Sequence, residues 1–517
     1  MPRRPLTRLA GALALLAAAT LTACSSPAQD ADAGVLRVVT PYSVKSLDPL
    51  QQGLWAPEWG YGELLMRATE SGTVEPWLLE KLYRATDTTW HLTLRPGLAF
   101  HNGHELGAEA LASLIETNLA DNKRARSLLG KAKASVDGPL TVVLDTGEPR
   151  PNLPNLLADE GVLPVFDAAA LAEAPDLSDN AALAALGIYT GPFTVASLTS
   201  DRLTLKRNEN YRLGPALLTG VEVSFVEDGQ ARVLAVRSGE ADLAFYPPSE
   251  ALRNLGDDAR ILTAPANPSP LRGFVNTRGV LGDTDVRKAL ALAIDYRTLA
   301  EDAMDGLYTP PVGMFPTSVP YARDDLRTDP AEAAHLLDTA GWTPGADGIR
   351  VKNGRELTVT ILSYGSQPDT AVIATALQAQ LAPAGFAVEV RDVPANYEAM
   401  ADPSGWDVGM SFDSALGTTY DPLGRLHDFL HTGGQYNFGA VGDAELDRIL
   451  DELSAAFDET ERARLLGEVQ RIAVAERTYA LFIADRPVRV VASPAHAGYR
   501  VSSVLQHVDG GTSPGER

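Results

Sequence analysis

The sequence predicts an α/β fold, on three observations. Strand-like apolar runs alternate with amphipathic helical segments, no repeat is visible at the ~20–50-residue periods of solenoids or propellers, and 45% of the residues are hydrophobic. Behind the leader, about 480 residues of that content can build two or more lobes. The chain holds one cysteine, so no intramolecular disulfide forms and stability rests on packed cores.

Taken in order, residues 1–23 carry Arg3, Arg4 and Arg8 ahead of an apolar run from Leu9 to Thr20. That is the order of a secretory leader, and the run is too short to span a bilayer. Leu21-Thr22-Ala23-Cys24 follows, and the small residues suit a lipoprotein signal peptidase, which makes Cys24 the expected lipidation site. Residues 24–34 are small, polar and acidic, as in a flexible tether. The expected location is therefore extracytoplasmic, with a lipid anchor at the outer face of the cell membrane.

The body begins at Val35. Its clearest strands are Val35 to Thr40, Trp90 to Arg95, Thr141 to Leu144, Val221 to Val226, Leu357 to Leu362 and Ala387 to Val390. Asp329-Pro330 supplies a cap and a first-turn proline for a helix that Gly341 closes. Another helix starts at Asp443, with Leu446, Ile449, Leu450, Leu453 and Phe457 on one face. The segment Asp285 to Ile294 reads as a further amphipathic helix, with Val286, Ala289 and Leu290 inward and Arg287 outward. The formal charge is −23, which disfavours nucleic acid as a partner, and the acids are spread along the chain as on a solvated surface.

A series of short motifs adds a family reading. Ser46-Leu47-Asp48-Pro49, Val74-Glu75-Pro76-Trp77-Leu78, Trp90 to Gly97 leading to Phe100-His101-Asn102-Gly103, Thr190-Gly191-Pro192-Phe193, and Arg207 to Tyr211 come first. Ser238 to Leu243, Phe274 to Thr277, Asp285 to Leu290, Ala340-Gly341-Trp342 and Tyr420-Asp421-Pro422 follow. In this order they resemble the solute-binding proteins of ABC importers in the peptide and nickel family. The resemblance implies a two-lobed periplasmic-binding-protein-like fold with a hinge and an extra subdomain in the first lobe. It puts lobe I at 35–268, with the subdomain at about 60–185, lobe II at 269–485, and a return to lobe I with the C-terminal tail at 486–517.

The same resemblance implies a monomeric receptor that presents a small solute, a short peptide or a metal chelate, to ABC permease and ATPase subunits. It implies no cofactor. In peptide-binding relatives an aspartate before the Asp-Pro pair receives the peptide amino group, but here Thr418 stands at that position, and a hydroxyl does not neutralise an ammonium group. Asp413 is the residue that would have to substitute. Tyr420 matches the nickel-type branch, which uses arginines, aromatic contacts and a histidine around a chelator.

Ligand-binding candidates follow from side-chain chemistry. Arg124 and Arg126 offer planar guanidinium groups for carboxylates, with a solvated helix end as the plainer reading. Tyr42, Trp55, Trp406 and Phe412 offer broad aromatic contact, against the ordinary use of such residues in cores. His427 and His431 lie one turn apart, a spacing that can hold a metal ion. His427-Asp428-Phe429-Leu430-His431 imitates a zinc-protease motif, but aspartate replaces the glutamate that activates water, so a metal-dependent hydrolase is disfavoured. There is no Gly-x-Ser-x-Gly elbow and no phosphate-binding loop, and the expected function is not enzymatic. A surface sensor or adhesin on the same fold is the alternative to transport.

Overall fold

The computed structural model describes residues 34–51, 55–174, 176–253, 255–265, 269–413, 421–504 and 506–515. Cys24, Thr418 and Tyr420 fall outside these residues, as do the leader and nearly all of the tether.

Two large sheets organise the chain. In the seven-stranded sheet, Val35–Thr40 runs parallel to Gly220–Phe225 on one side and Leu243–Phe245 on the other. Arg489–Ala492 and Arg260–Thr263 extend it antiparallel beyond Leu243–Phe245, and Arg202–Arg207 and Phe193–Leu198 complete the opposite edge. The five-stranded sheet has the order Ala387–Val393, Thr358–Tyr364, Val408–Phe412, Ser269–Val275, Ala480–Arg486. Its first three strands are parallel, and Ser269–Val275 opposes both of its neighbours. Ala480–Arg486 therefore points the same way as Val408–Phe412. Central strands such as Val408–Phe412 are apolar and buried almost throughout, as expected where both sheet faces are covered.

A four-stranded antiparallel sheet, Leu79–Arg84, Thr89–Leu94, Thr141–Asp145 and Lys133–Val136, is attached to the first lobe. Trp90, Leu92 and Leu94 are buried in alternation with half-buried neighbours, so one face packs inward. The chain passes between the large sheets twice, after Thr263 and again after Arg486. Separate apolar clusters fill the two sides, one around Trp59, Leu92 and Phe193, the others around Leu290, Ile361, Leu426 and Phe482.

The helix Pro330–Thr339 has Asp329 as its cap, accepting from the Glu332 N–H, and Gly341 follows at φ 82°. Helix Ala444–Ala455 buries Leu446, Ile449, Leu450 and Leu453. Two expectations are corrected here. Phe457 lies beyond that helix, and its ring meets Trp90 at 6.4 Å and the Arg84 guanidinium at 4.0 Å, on the other lobe. Arg287 on helix Thr284–Leu292 points inward, because its guanidinium supplies donors to the carbonyls of Leu281, Gly282 and Arg477.

Candidate functional site

Parallel α/β sheets bind ligands at the carboxyl ends of their strands, and here two such ends face each other. From the first sheet, Tyr42 follows strand Val35–Thr40 and Tyr246 follows Leu243–Phe245. Tyr42 stacks on Trp55 at 5.5 Å and meets Tyr246 edge-on at 4.8 Å. Trp55 and Tyr246 both adopt left-handed backbone, at φ 57° and 52°, a conformation that bulky residues rarely hold without support from their surroundings.

From the second sheet come Tyr364, Phe412 and Arg486, each the last residue of its strand. The Tyr364 oxygen accepts from the Phe412 N–H at 3.1 Å, and the Arg486 guanidinium lies 3.8 Å from the Phe412 ring centre. The walls are close enough to feel each other's charge. Burial raises the Tyr246 hydroxyl, and the Arg486 cation across the cleft pulls it back down. Burial also raises Tyr364, with a further upward push from Tyr42.

Acids support the aromatic wall from behind. Glu160 lies against the backbone N–H groups of Trp55 and Ala56, which favour its charged form, and beside Glu58. Burial pushes Glu160 up to about 7, and burial together with the Glu160 charge pushes Glu58 well above the carboxylate range. Both shifts favour the protonated form of the pair. Farther along, Asn152 of the first lobe donates to Asp421 Oδ2 at 2.8 Å. Asp421 caps helix Pro422–Leu430 of the second lobe.

The sequence candidates are placed unequally. Tyr42, Trp55 and Phe412 stand on the cleft walls just described. Trp406 does not join them. It is 3% exposed in the second lobe's core, with its indole N–H donating to the Asp402 carbonyl at 2.8 Å, because strand Val408–Phe412 begins beneath that core. Arg124 is paired with Asp159 at 2.7 Å, and Arg126 is exposed and donates to the Ala120 carbonyl of the preceding helix. Asp413 already accepts from the Tyr397 hydroxyl and lies 3.8 Å from Arg425, so the protein itself balances its charge.

His427 and His431 have stacked rings 4.3 Å apart, and with Asp451 they bring ligand atoms within 4.8 Å of one another. His431 Nδ1 accepts from the Gly433 N–H at 3.0 Å, so the neutral ring carries its proton on Nε2, 3.6 Å from Asp451. A cation at Nε2 would replace that proton, and His431 would then give up the Gly433 bond. Sequence reasoning missed Tyr246, Tyr364 and Arg486. Only their position at strand ends marks them, and that required knowing which strands are parallel.

A family model described as bacterial extracellular solute-binding proteins, family 5, middle, matches residues 73–437. A nickel-binding periplasmic protein of Escherichia coli (strain K12) is 28% identical over 453 residues, covering 82% of this chain and 84% of that protein. A nickel ABC transporter structure from Bacillus halodurans superposes with a TM-score of 0.76 at 26% identity, covering 92% of this chain and 99% of that one. The oligopeptide-binding protein AppA from Bacillus subtilis, solved with a nonapeptide, superposes with a TM-score of 0.70 at 19% identity over 92% of this chain and 96% of that one. Motif order, paired sheets and a cleft at facing strand ends thus meet in one assignment: the chain belongs to the bacterial extracellular solute-binding proteins of family 5, the two-lobed receptors of ABC importers.

Proposed function

We propose that this protein captures a small solute between its lobes outside the cytosol and delivers it, enclosed, to the permease of an ABC importer, without chemistry on the solute. The observation that carries the reading is the cleft itself, where Tyr42, Trp55 and Tyr246 face Tyr364, Phe412 and Arg486. We take the domain limits as 35–268, 269–485 and 486–517, a reading the two sheet crossings support, and acylation of Cys24 would moor the receptor to the membrane.

The solute class we favour is a nickel or other metal chelate, with a short peptide as the second reading. The balanced charge of Asp413 leaves no free acid there to receive a peptide amino group, which supports the first. The nickel name of the Escherichia coli relative points the same way. His427 and His431 join this proposal as metal contacts, with Asp451 as third ligand.

Calorimetry against nickel with L-histidine and against di- and tripeptides separates the classes. Heat from peptides alone overturns the chelate reading. H427A and H431A variants that bind the true solute unchanged remove both histidines from its site.

A further inference from the structure

We propose that Arg486 is the anion receptor of the cleft, and that the solute presents a carboxylate beside a flat apolar or π-bonded portion. This deepens the cleft reading and rests on it. The inference starts from what Arg486 lacks. Its Nη1 donates to Gln367 Oε1 at 2.7 Å, and its cation lies close enough to the Tyr308 hydroxyl to pull that group's ionisation down. Both partners are neutral. Among the described residues, no carboxylate oxygen lies within 4.0 Å of it.

Three other arginines are paired with acids. Arg124 has Asp159 at 2.7 Å, Arg425 has Asp413 at 3.8 Å, and Arg150 has Glu148. Arg272 is buried between the rings of Phe274 and Phe429, at 4.2 and 4.1 Å. Asp369 is engaged by other groups. The Tyr308 hydroxyl donates to Asp369 Oδ2 at 2.7 Å, and that oxygen also accepts from Ser249 Oγ at 2.8 Å.

Geometry then defines the ligand. A guanidinium carries five N–H donors in a fixed fork, and the bond to Gln367 leaves donors to spare. Contact with the Phe412 face sets the plane of the group and presents its edge, which is how a carboxylate is held bidentately. The half-buried site between aromatic walls strengthens such a pair over one on open surface. The stacked Tyr42 and Trp55 rings opposite offer a flat surface for the remainder of the solute.

The test uses the full mature chain with 3-phenylpropionate and 3-phenylpropanol, two probes that differ in the carboxylate, followed by calorimetry and thermal shift. The wild-type protein is expected to bind the acid at least about tenfold more tightly than the alcohol, the loss of one charge-assisted pair. Arg486→Gln is expected to treat the two alike, and Arg486→Lys to keep part of the preference. Equal binding of acid and alcohol by the wild type, no binding of the acid at millimolar concentration, or an acid preference that survives in R486Q would each overturn the assignment. If R486Q does not fold, the wild-type comparison and R486K still decide it.

The same proteins are then tested with nickel–L-histidine and with trialanine. Failure of both, with the arylcarboxylate still bound through Arg486, sinks the solute classes proposed above and leaves the anion receptor standing. Binding of either by R486Q as tightly as by wild type does the reverse.

Discussion

Asn152→Ala removes a hydrogen bond that exists only while the lobes face each other as observed. Its amide donates to Asp421 Oδ2 at 2.8 Å, and Asp421 is 9% exposed, with the Leu423 N–H as its other close donor at 3.0 Å. Burial raises the Asp421 carboxyl, and the Asn152 and Leu423 bonds pull it down, so the amide helps hold a charge there. A hydrogen bond to a charged acceptor contributes about 1.5–3 kcal/mol. With the lobes apart, water replaces the amide at little cost, so the closing equilibrium should fall by about 10- to 150-fold. Solute affinity should fall with it, because only the closed arrangement is competent to hold the solute. Single-molecule distance measurements across the lobes, with calorimetry on whichever solute binds, read both effects. A cycle of N152A, D421A and the double variant should give a coupling of at least about 1 kcal/mol. Unchanged distances and affinity in N152A, or a coupling near zero, would refute the reasoning.

Three further outcomes are expected. Phe457→Ala removes the ring that meets Arg84 and Trp90 of the other lobe, and should widen the same distance distribution with little change in Tm. Glu160→Gln tests the raised carboxyl. A group whose folded pKa of about 7 exceeds its unfolded value contributes stability below the unfolded pKa and loses it as pH rises through about 7. The variant should therefore gain on the wild type in stability between pH 5 and pH 7, by about one tenfold step in the folding equilibrium per pH unit, read as a rising Tm difference, and a difference constant with pH would contradict the shift. Arg287→Met should lower stability by about 3 kcal/mol in denaturant unfolding, since three carbonyls lose their donor inside the fold.

Much of the fold was legible because local rules govern it. Caps at Asp329 and Asp443, the alternation in Thr89–Leu94 and the apolar run of Val35–Thr40 are each decided by a few adjacent residues. Long-range pairings were not. Arg287 looks like a surface residue until the Arg477 carbonyl arrives from 190 positions away, and Phe457 fits its helix's apolar period but lies past the helix end. The aromatic wall was half legible. Tyr42 and Trp55 could be named as broad contacts, whereas Tyr246 and Arg486 gain meaning only from the direction of the strands they end. Trp406 failed for the opposite reason, since an aromatic beside a strand is as easily core as cleft.

The return of the chain to its first lobe has a consequence for biogenesis. Arg489–Ala492 lies inside the seven-stranded sheet, between Arg260–Thr263 and Leu243–Phe245, and the N–H groups of His507 and Val508 both donate to the Glu58 carbonyl at 2.9 Å. Until those residues are synthesised, that sheet is split and two strand edges stand open. The nascent polypeptide must make its whole middle portion before its beginning can close, so early folding cannot lock it before export. A chain halted near residue 488 should therefore emerge protease-sensitive and prone to edge-to-edge association, even with nine-tenths of its length in hand.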